Sequence, residues 1–423
     1  MTVTLDRITL RNHSFEVPLD HADPDSAPIT FFVREAVAND KRDETLPYLV
    51  FLPGGPGYPS PRSTDPVGWL GPALERYRVL LPDYRGTGLS SPVGRHTTRG
   101  RDAQQIADHL AHYRADSIVR DLETVRPQLT GGEPWSLLGQ SYGGFCAVSY
   151  LSFAPAGVRE AFLAGGLPPL GRSADEVYRA TCQRVLERND VYFSRYPEDR
   201  ETIGRICTLL RNSEILLPDR SRLTVERFQH VGIIFGYSYG IDQVHYAVEH
   251  AFAGGDELSD KFLFDVYSIL SYIGHPLYAV LHESIYADGN RPSRWAAARA
   301  LEEFPALSPD HPAPLFTGET MTPGLFHHDP ELVPFRDAAE ILAQRTEWPP
   351  LYDFDALKSC TVPTAAAIYV DDMYVDRTFS EETARLIPSV QPWITNEFLH
   401  DGLTSHSDRV LARLFDMMRN RAS

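Results

Sequence analysis

Leu137-Leu138-Gly139-Gln140-Ser141-Tyr142-Gly143-Gly144 is a GxSxG pattern set between a short apolar run and a small-residue stretch suited to a helix. A serine at the apex of a tight strand-to-helix turn sits in strained backbone, and glycines two residues away on either side remove side chains that would collide. Such a turn commits the chain to a strand, a sharp reversal and a helix. It also aims the first helical N–H groups at whatever the serine oxygen attacks. Ser141 is therefore the candidate nucleophile. A second match, Gly236-Tyr237-Ser238-Tyr239-Gly240, lacks an upstream glycine-rich loop at a βαβ spacing and reads as an aromatic-rich packing segment.

The surroundings of Ser141 fit a strand-helix alternation. Short antiparallel strands are expected at 8–10 and 29–35, on either side of a turn-rich stretch. Apolar strand runs follow at 48–52 and 77–81, each stopping in a loop, and 103–125 reads as one helix. The rhythm continues through 135–138 and 161–169, is lost from about 172 to 357, and resumes with a strand at 364–370, a helix at 380–387, a strand at 393–398 and a helix at 408–419. Within the interruption, 173–188, 260–273 and 292–303 read as helices. The fold class expected is α/β, a mostly parallel sheet flanked by helices, with a mainly helical cap inserted in it. The domains are then 1–171 and 358–423 for the sheet body and 172–357 for the cap.

A chain of 423 residues, 43% hydrophobic and 11% aromatic, can bury a sizeable core. Its formal charge of −17 repels nucleic acid and anionic membrane surfaces, so neither is expected as a partner. No apolar run approaches a membrane span, and Met1 to Arg7 lacks the regions of a signal peptide, so a cytoplasmic enzyme is expected. Cys146, Cys182, Cys207 and Cys360 form no CxxC pair or metal spacing and read as reduced and mostly buried. Cys146, five residues after Ser141, could confer sensitivity to thiol reagents. His245 and His250 lack the HExxH spacing, and His327-His328 falls in a turn-like stretch, so neither a metal nor a cofactor is expected.

A serine hydroxyl needs a histidine to take its proton and a carboxylate to orient that histidine. On a sheet of this kind the order is serine, acid, histidine, with the last two on loops after the final strands. Asp371-Asp372 ends the first of those strands and His400-Asp401-Gly402 the second. Asp372 is favoured, Asp371 stays open, and Asp376 ranks below both. His406 competes with His400 but falls at the start of the last helix. The developing oxyanion needs preorganised donors, supplied by the N–H of Tyr142 and by the loop Gly54-Gly55-Pro56-Gly57, through Gly55.

With these pieces placed, the chain resembles the proline iminopeptidase (prolyl aminopeptidase) family of α/β-hydrolase serine peptidases. Gly54-Gly55-Pro56-Gly57 looks like the family's HGGPG loop, Asp83-Tyr84-Arg85-Gly86-Thr87-Gly88-Leu89-Ser90 like its DQRGxGxS segment, and the elbow and the acid and histidine loops follow in order. Pro53 stands where the family has histidine, and the cap is larger than in the compact members. The resemblance implies release of an N-terminal residue, preferentially proline, from short peptides, with cap glutamates holding the substrate's free amine. Glu283, in Leu281-His282-Glu283-Ser284-Ile285-Tyr286, ranks first for that role and Glu319 second. A serine esterase or amidase acting on a small ester, amide or lactone is the alternative. A noncatalytic ligand-binding protein on the same fold is a more remote one. Oligomeric state is not legible.

Overall fold

The computed structural model describes residues 2–289 and 291–419. Eleven strands are present: β1 (Thr2–Thr4), β2 (Ile8–Pro18), β3 (Pro28–Ala38), β4 (Tyr48–Leu52), β5 (Arg78–Pro82), β6 (Trp135–Gln140), β7 (Val158–Ala164), β8 (Phe252–Gly254), β9 (Glu257–Leu258), β10 (Thr364–Tyr369) and β11 (Val390–Thr395). Nine of them form one sheet in the order β1-β2-β3-β5-β4-β6-β7-β10-β11, while β8 and β9 pair separately. The first three strands and the β3–β5 junction are antiparallel, and everything from β5 to β11 is parallel.

The parallel part is buried on both faces, which is why its strands read as continuous apolar runs and not as alternations. Leu137 packs on one face with Val50, Leu52 and the helices Ala115–Thr130 and Tyr142–Phe153. Leu138, pointing the other way, packs with Leu49, Phe51, Phe162 and the C-terminal helix Ser407–Arg419. This sheet, with its elbow between β6 and a packed helix, is an α/β-hydrolase fold.

Between β7 and β10 the chain leaves the sheet for a mainly helical region. Its first helix, Ala174–Arg195, starts with a reciprocal cap in which Ser173 Oγ accepts the Glu176 N–H at 3.3 Å and Glu176 accepts the Ser173 N–H at 2.9 Å. The other expected helices run Asp260–Leu270 and Ala296–Glu302, each shorter than its sequence pattern.

The 103–125 segment is two helices, Ala103–Leu110 and Ala115–Thr130, not one. The break frees the His112 carbonyl to accept from the buried Arg85 guanidinium at 2.7 Å. Arg85 also forms a two-pronged pair with Asp121 and bonds the Leu19 carbonyl, so it ties the N-terminal hairpin to the sheet. The final strand ends at Thr395, three residues before the expected limit, because 396–399 already belongs to the loop that presents His400.

Candidate active site

Ser141 stands between β6 and the helix Tyr142–Phe153 with φ 54° and ψ −126°, a region L-residues rarely occupy. Strain of this kind costs about 1–3 kcal/mol and persists only where the surroundings fix it. Here the Ser141 N–H bonds the Ala164 carbonyl at 3.1 Å, and the Gly144 N–H bonds the Ser141 carbonyl at 2.7 Å. A Cβ on Gly143 would fall 1.9 Å from the Leu52 carbonyl oxygen, so the helix meets the sheet as closely as backbone allows. The helix begins at Tyr142, whose N–H lies in the unsatisfied first turn.

The loop after β4 lies directly against the elbow: a Cβ on Gly54 would sit 3.1 Å from Ser141 Cβ. Gly55 has φ +142°, which only glycine adopts readily. Pro53 is buried, and its carbonyl accepts from Tyr84 Oη at 3.3 Å. The 83–90 segment braces the neighbouring loop. Buried Asp83 takes the Ser60 N–H at 3.2 Å, the Leu89 N–H at 2.8 Å and the Arg62 guanidinium.

His400 Nδ1 is 2.7 Å from Asp372 Oδ2, and both side chains are buried. The other carboxylate oxygen of Asp372 accepts the N–H groups of Tyr374 at 2.9 Å and Val375 at 3.0 Å. Asp371 is exposed, while Asp376 caps the helix Arg377–Leu386 and pairs with Arg184 at 3.1 Å. His406 is exposed at the end of a four-residue helix and contacts Ser405 Oγ. The imidazole of His400 lies over Gly165, where a Cβ would come 3.2 Å from Nδ1. The next residue, Gly166, lies under the Ser141 carbonyl in the same way at 2.4 Å. Serine and histidine thus flank two consecutive glycines after β7. Burial opposes the charged form of His400, but the charge and hydrogen bond of Asp372 prevail and raise its pKa.

The second GxSxG segment reaches this site by another route. Ser238 Oγ donates to Asp401 Oδ2 at 2.7 Å, the Ser238 N–H bonds Asp401 Oδ1 at 3.1 Å, and the His400 N–H bonds the Gly236 carbonyl at 3.2 Å. Ser238 therefore holds the histidine loop from the cap side. The sequence offered no signal for this, since the contact joins residues 163 apart.

The two cap glutamates stand in different surroundings. Glu319 accepts from Tyr278 Oη, lies 3.7 Å from His282 Nε2, and keeps 21% of its side chain exposed. Burial raises its carboxyl to about 7, against the opposing pull of the Tyr278 hydrogen bond and the His400 charge, while the Asp372 charge adds to the rise. It is thus in electrostatic contact with the histidine and its acid. Tyr58, Tyr237 and Tyr374, whose hydroxyls burial raises, feel the Glu319 charge as well, so the carboxylate stands among aromatic rings. Glu283 is buried, and its Oε1 accepts the Ala297 N–H at 2.9 Å at the start of the helix Ala296–Glu302. Glu283 is thus engaged by a helix start, while Glu319 keeps one side open beside Tyr278 and His282. His282 sits beside Glu319 with neither ring nitrogen hydrogen-bonded, and burial lowers its pKa to about 3.

All four cysteines are buried and free. Burial pushes the Cys146 thiol up to about 12, so the thiol-reagent sensitivity expected from its position does not fit its surroundings. Among the described residues, Glu198, Asp199 and His245 have ligand atoms close enough to share an ion. The Asp199 carboxylate there is already taken by Tyr192 Oη and by His245 Nδ1 at 3.0 Å.

The α/β-hydrolase fold model matches residues 47–201. Over 418 residues the chain is 44% identical to a protein named proline iminopeptidase from Aeromonas sobria, covering 98% of each. It is 34% identical over 423 residues to proline iminopeptidase aneH from Aspergillus aculeatus, covering 96% of this chain and 93% of that one. Among solved structures, an esterase (EaEST) from Exiguobacterium antarcticum is similar at 16% identity with a TM-score of 0.41, covering 93% and 96% of the two chains.

Proposed function

This chain belongs to the proline iminopeptidase family, a family of serine hydrolases that act on peptides, and from that premise we propose how its residues release an N-terminal proline. His400 takes the proton of Ser141, Asp372 holds the imidazole and stabilises its charged form, and the N–H groups of Gly55 and Tyr142 receive the oxyanion. The imidazolium gives that proton to the leaving amine as the C–N bond breaks, leaving the prolyl ester of Ser141, which water then cleaves with the neutral His400 again as base. Glu319 receives the substrate's ammonium and so sets the scissile bond one residue from the free N-terminus. An ammonium drawn into a partly dry site needs such a paired carboxylate. Glu283 acts behind it as a support, fixing the helix start beside the site.

The observation that carries this reading is the setting of Glu319, a carboxylate that accepts from Tyr278, lies 3.7 Å from His282, and interacts by charge with the hydrogen-bonded His400–Asp372 pair. Aromatic rings around it suit both the apolar pyrrolidine body and its cationic nitrogen. We propose the same division of the chain as the sequence suggested, with 172–357 as the cap that supplies this carboxylate. A cytoplasmic setting remains part of the proposal. No helix among the described residues is long and apolar enough to cross a membrane. The test is Glu319→Gln assayed on proline p-nitroanilide and on p-nitrophenyl acetate, which has no amine. The ratio of anilide to acetate turnover falls about a hundredfold, the size expected for breaking a partly buried charge pair. An unchanged ratio would remove Glu319 from amine recognition and favour the esterase reading.

A further inference from the structure

A cavity of about 750 Å³ opens between the segment that leaves β7, residues 285–288 and 291–294, and the return segment 351–354. Its size is that of a small-molecule site. Two residues join it to the catalytic centre. Tyr286 forms part of its wall and packs edge-on against Phe145, one turn along the helix from Ser141. Burial raises the Tyr286 hydroxyl, and the charges of Glu319 and Asp372 raise it further. Pro168, also in the wall, is two residues beyond Gly166, which packs on the Ser141 carbonyl.

The charge of this wall runs against that of the molecule. Four arginines (172, 291, 294 and 299) face two aspartates (175 and 288), in a chain of net charge −17. Arg172 is engaged by Glu176 and Glu382, and Arg299 by Asp175. Arg291 and Arg294 are exposed and make no ion pair among the described residues. The loop that carries them is nonetheless held in place. Arg294 and Trp295 occupy positive φ at 50° and 57°, the Arg294 N–H bonds the Ala343 carbonyl at 2.8 Å, and Trp295 Nε1 bonds Glu340 at 2.7 Å. Two exposed guanidiniums without an ion pair, set at one cavity on backbone held at 294, form a site for a carboxylate, which Arg engages through paired N–H donors.

Resting on the aminopeptidase reading, we propose that this cavity receives the leaving part of a short peptide and that Arg291 and Arg294 bind its C-terminal carboxylate. The substrate then spans the site between opposite charges, its ammonium at Glu319 and its carboxylate at the arginines. The leaving peptide carries that negative charge whatever its sequence, so the site favours short free peptides over peptide amides without selecting side chains. An extended chain advances about 3.3–3.6 Å per residue, so the effect depends on peptide length and is read across a series.

The experiment measures proline release from Pro-Gly, Pro-Gly-Gly and Pro-Gly-Gly-Gly, each as free acid and as C-terminal amide, at low salt. At the best length the wild-type protein prefers the acid by about tenfold in kcat/KM, the worth of one charge-assisted contact. In Arg291→Ala/Arg294→Ala that acid-to-amide ratio falls to about one, and in Arg291→Glu/Arg294→Glu it inverts. Both residues are exposed, so these changes leave the core untouched. A wild-type ratio of one at every length, or a ratio that survives the double substitutions, overturns the proposal while leaving the aminopeptidase reading intact. Absence of proline release from every peptide sinks both.

Discussion

Two groups at the site must lose a proton before catalysis: Glu319, raised to about 7, and His400, raised above its ordinary value. A protonated Glu319 cannot pair with an ammonium, and a protonated His400 cannot accept the Ser141 proton, so both losses increase activity as pH rises. The acid limb of kcat/KM for proline p-nitroanilide should therefore be steeper than one proton, and Glu319→Gln should reduce it to one. The alkaline limb follows the substrate's own amine, near 8. Ser141→Ala should lower kcat by at least about four orders of magnitude. Ser141 and His400 could be named as candidates from the sequence because a strained turn and a fixed chain order leave a local signature. The choice between Asp371 and Asp372 was not, since burial and the hydrogen bond to His400 separate them only in three dimensions. Nor was the engagement of Glu283, because its partner is a backbone N–H fourteen residues away.

Among the elements, the loop bearing His400 is held from two sides, by Asp372 in the sheet body and by Ser238 in the cap. Removing the Ser238 hydroxyl deletes one hydrogen bond and leaves Asp401 partly unpaired, a loss of about 1–2 kcal/mol. Ser238→Ala is expected to lower kcat for the proline anilide about three- to tenfold with little change in KM. Complete loss of turnover would instead make Ser238 the nucleophile. The strands of the sheet could be read as buried apolar runs, and their mostly parallel arrangement followed from the strand-helix alternation. What sequence missed were interruptions set by distant partners, as where Arg85 draws the His112 carbonyl out of the 103–125 helical pattern.

At the scale of the molecule, cap and sheet body are joined by Arg114, which is fully buried and donates to the carbonyls of Ser284 at 3.1 Å, Ala287 at 2.5 Å and Pro349 at 2.6 Å. It stacks over Trp348 at 4.3 Å. Removing the guanidinium takes a donor from the buried carbonyls of Ser284 and Ala287, of which the first keeps the Ala287 N–H at 3.2 Å, and costs about 1–3 kcal/mol. Arg114→Ala should lower the melting temperature and expose the 282–296 stretch to limited proteolysis at temperatures where the wild-type protein resists. The loss of alternation after residue 171 could be read from the sequence, but the contacts that tie the helical region to the sheet, through Arg114, Ser238 and Arg184, have no sequence pattern. The claim at the centre of the account, that Ser141 works on a substrate anchored by its free amine, is tested most directly by turnover of proline p-nitroanilide beside its N-acetyl derivative. The account predicts rapid cleavage of the free-amine substrate and almost none of the acetylated one. Comparable cleavage of both would contradict it.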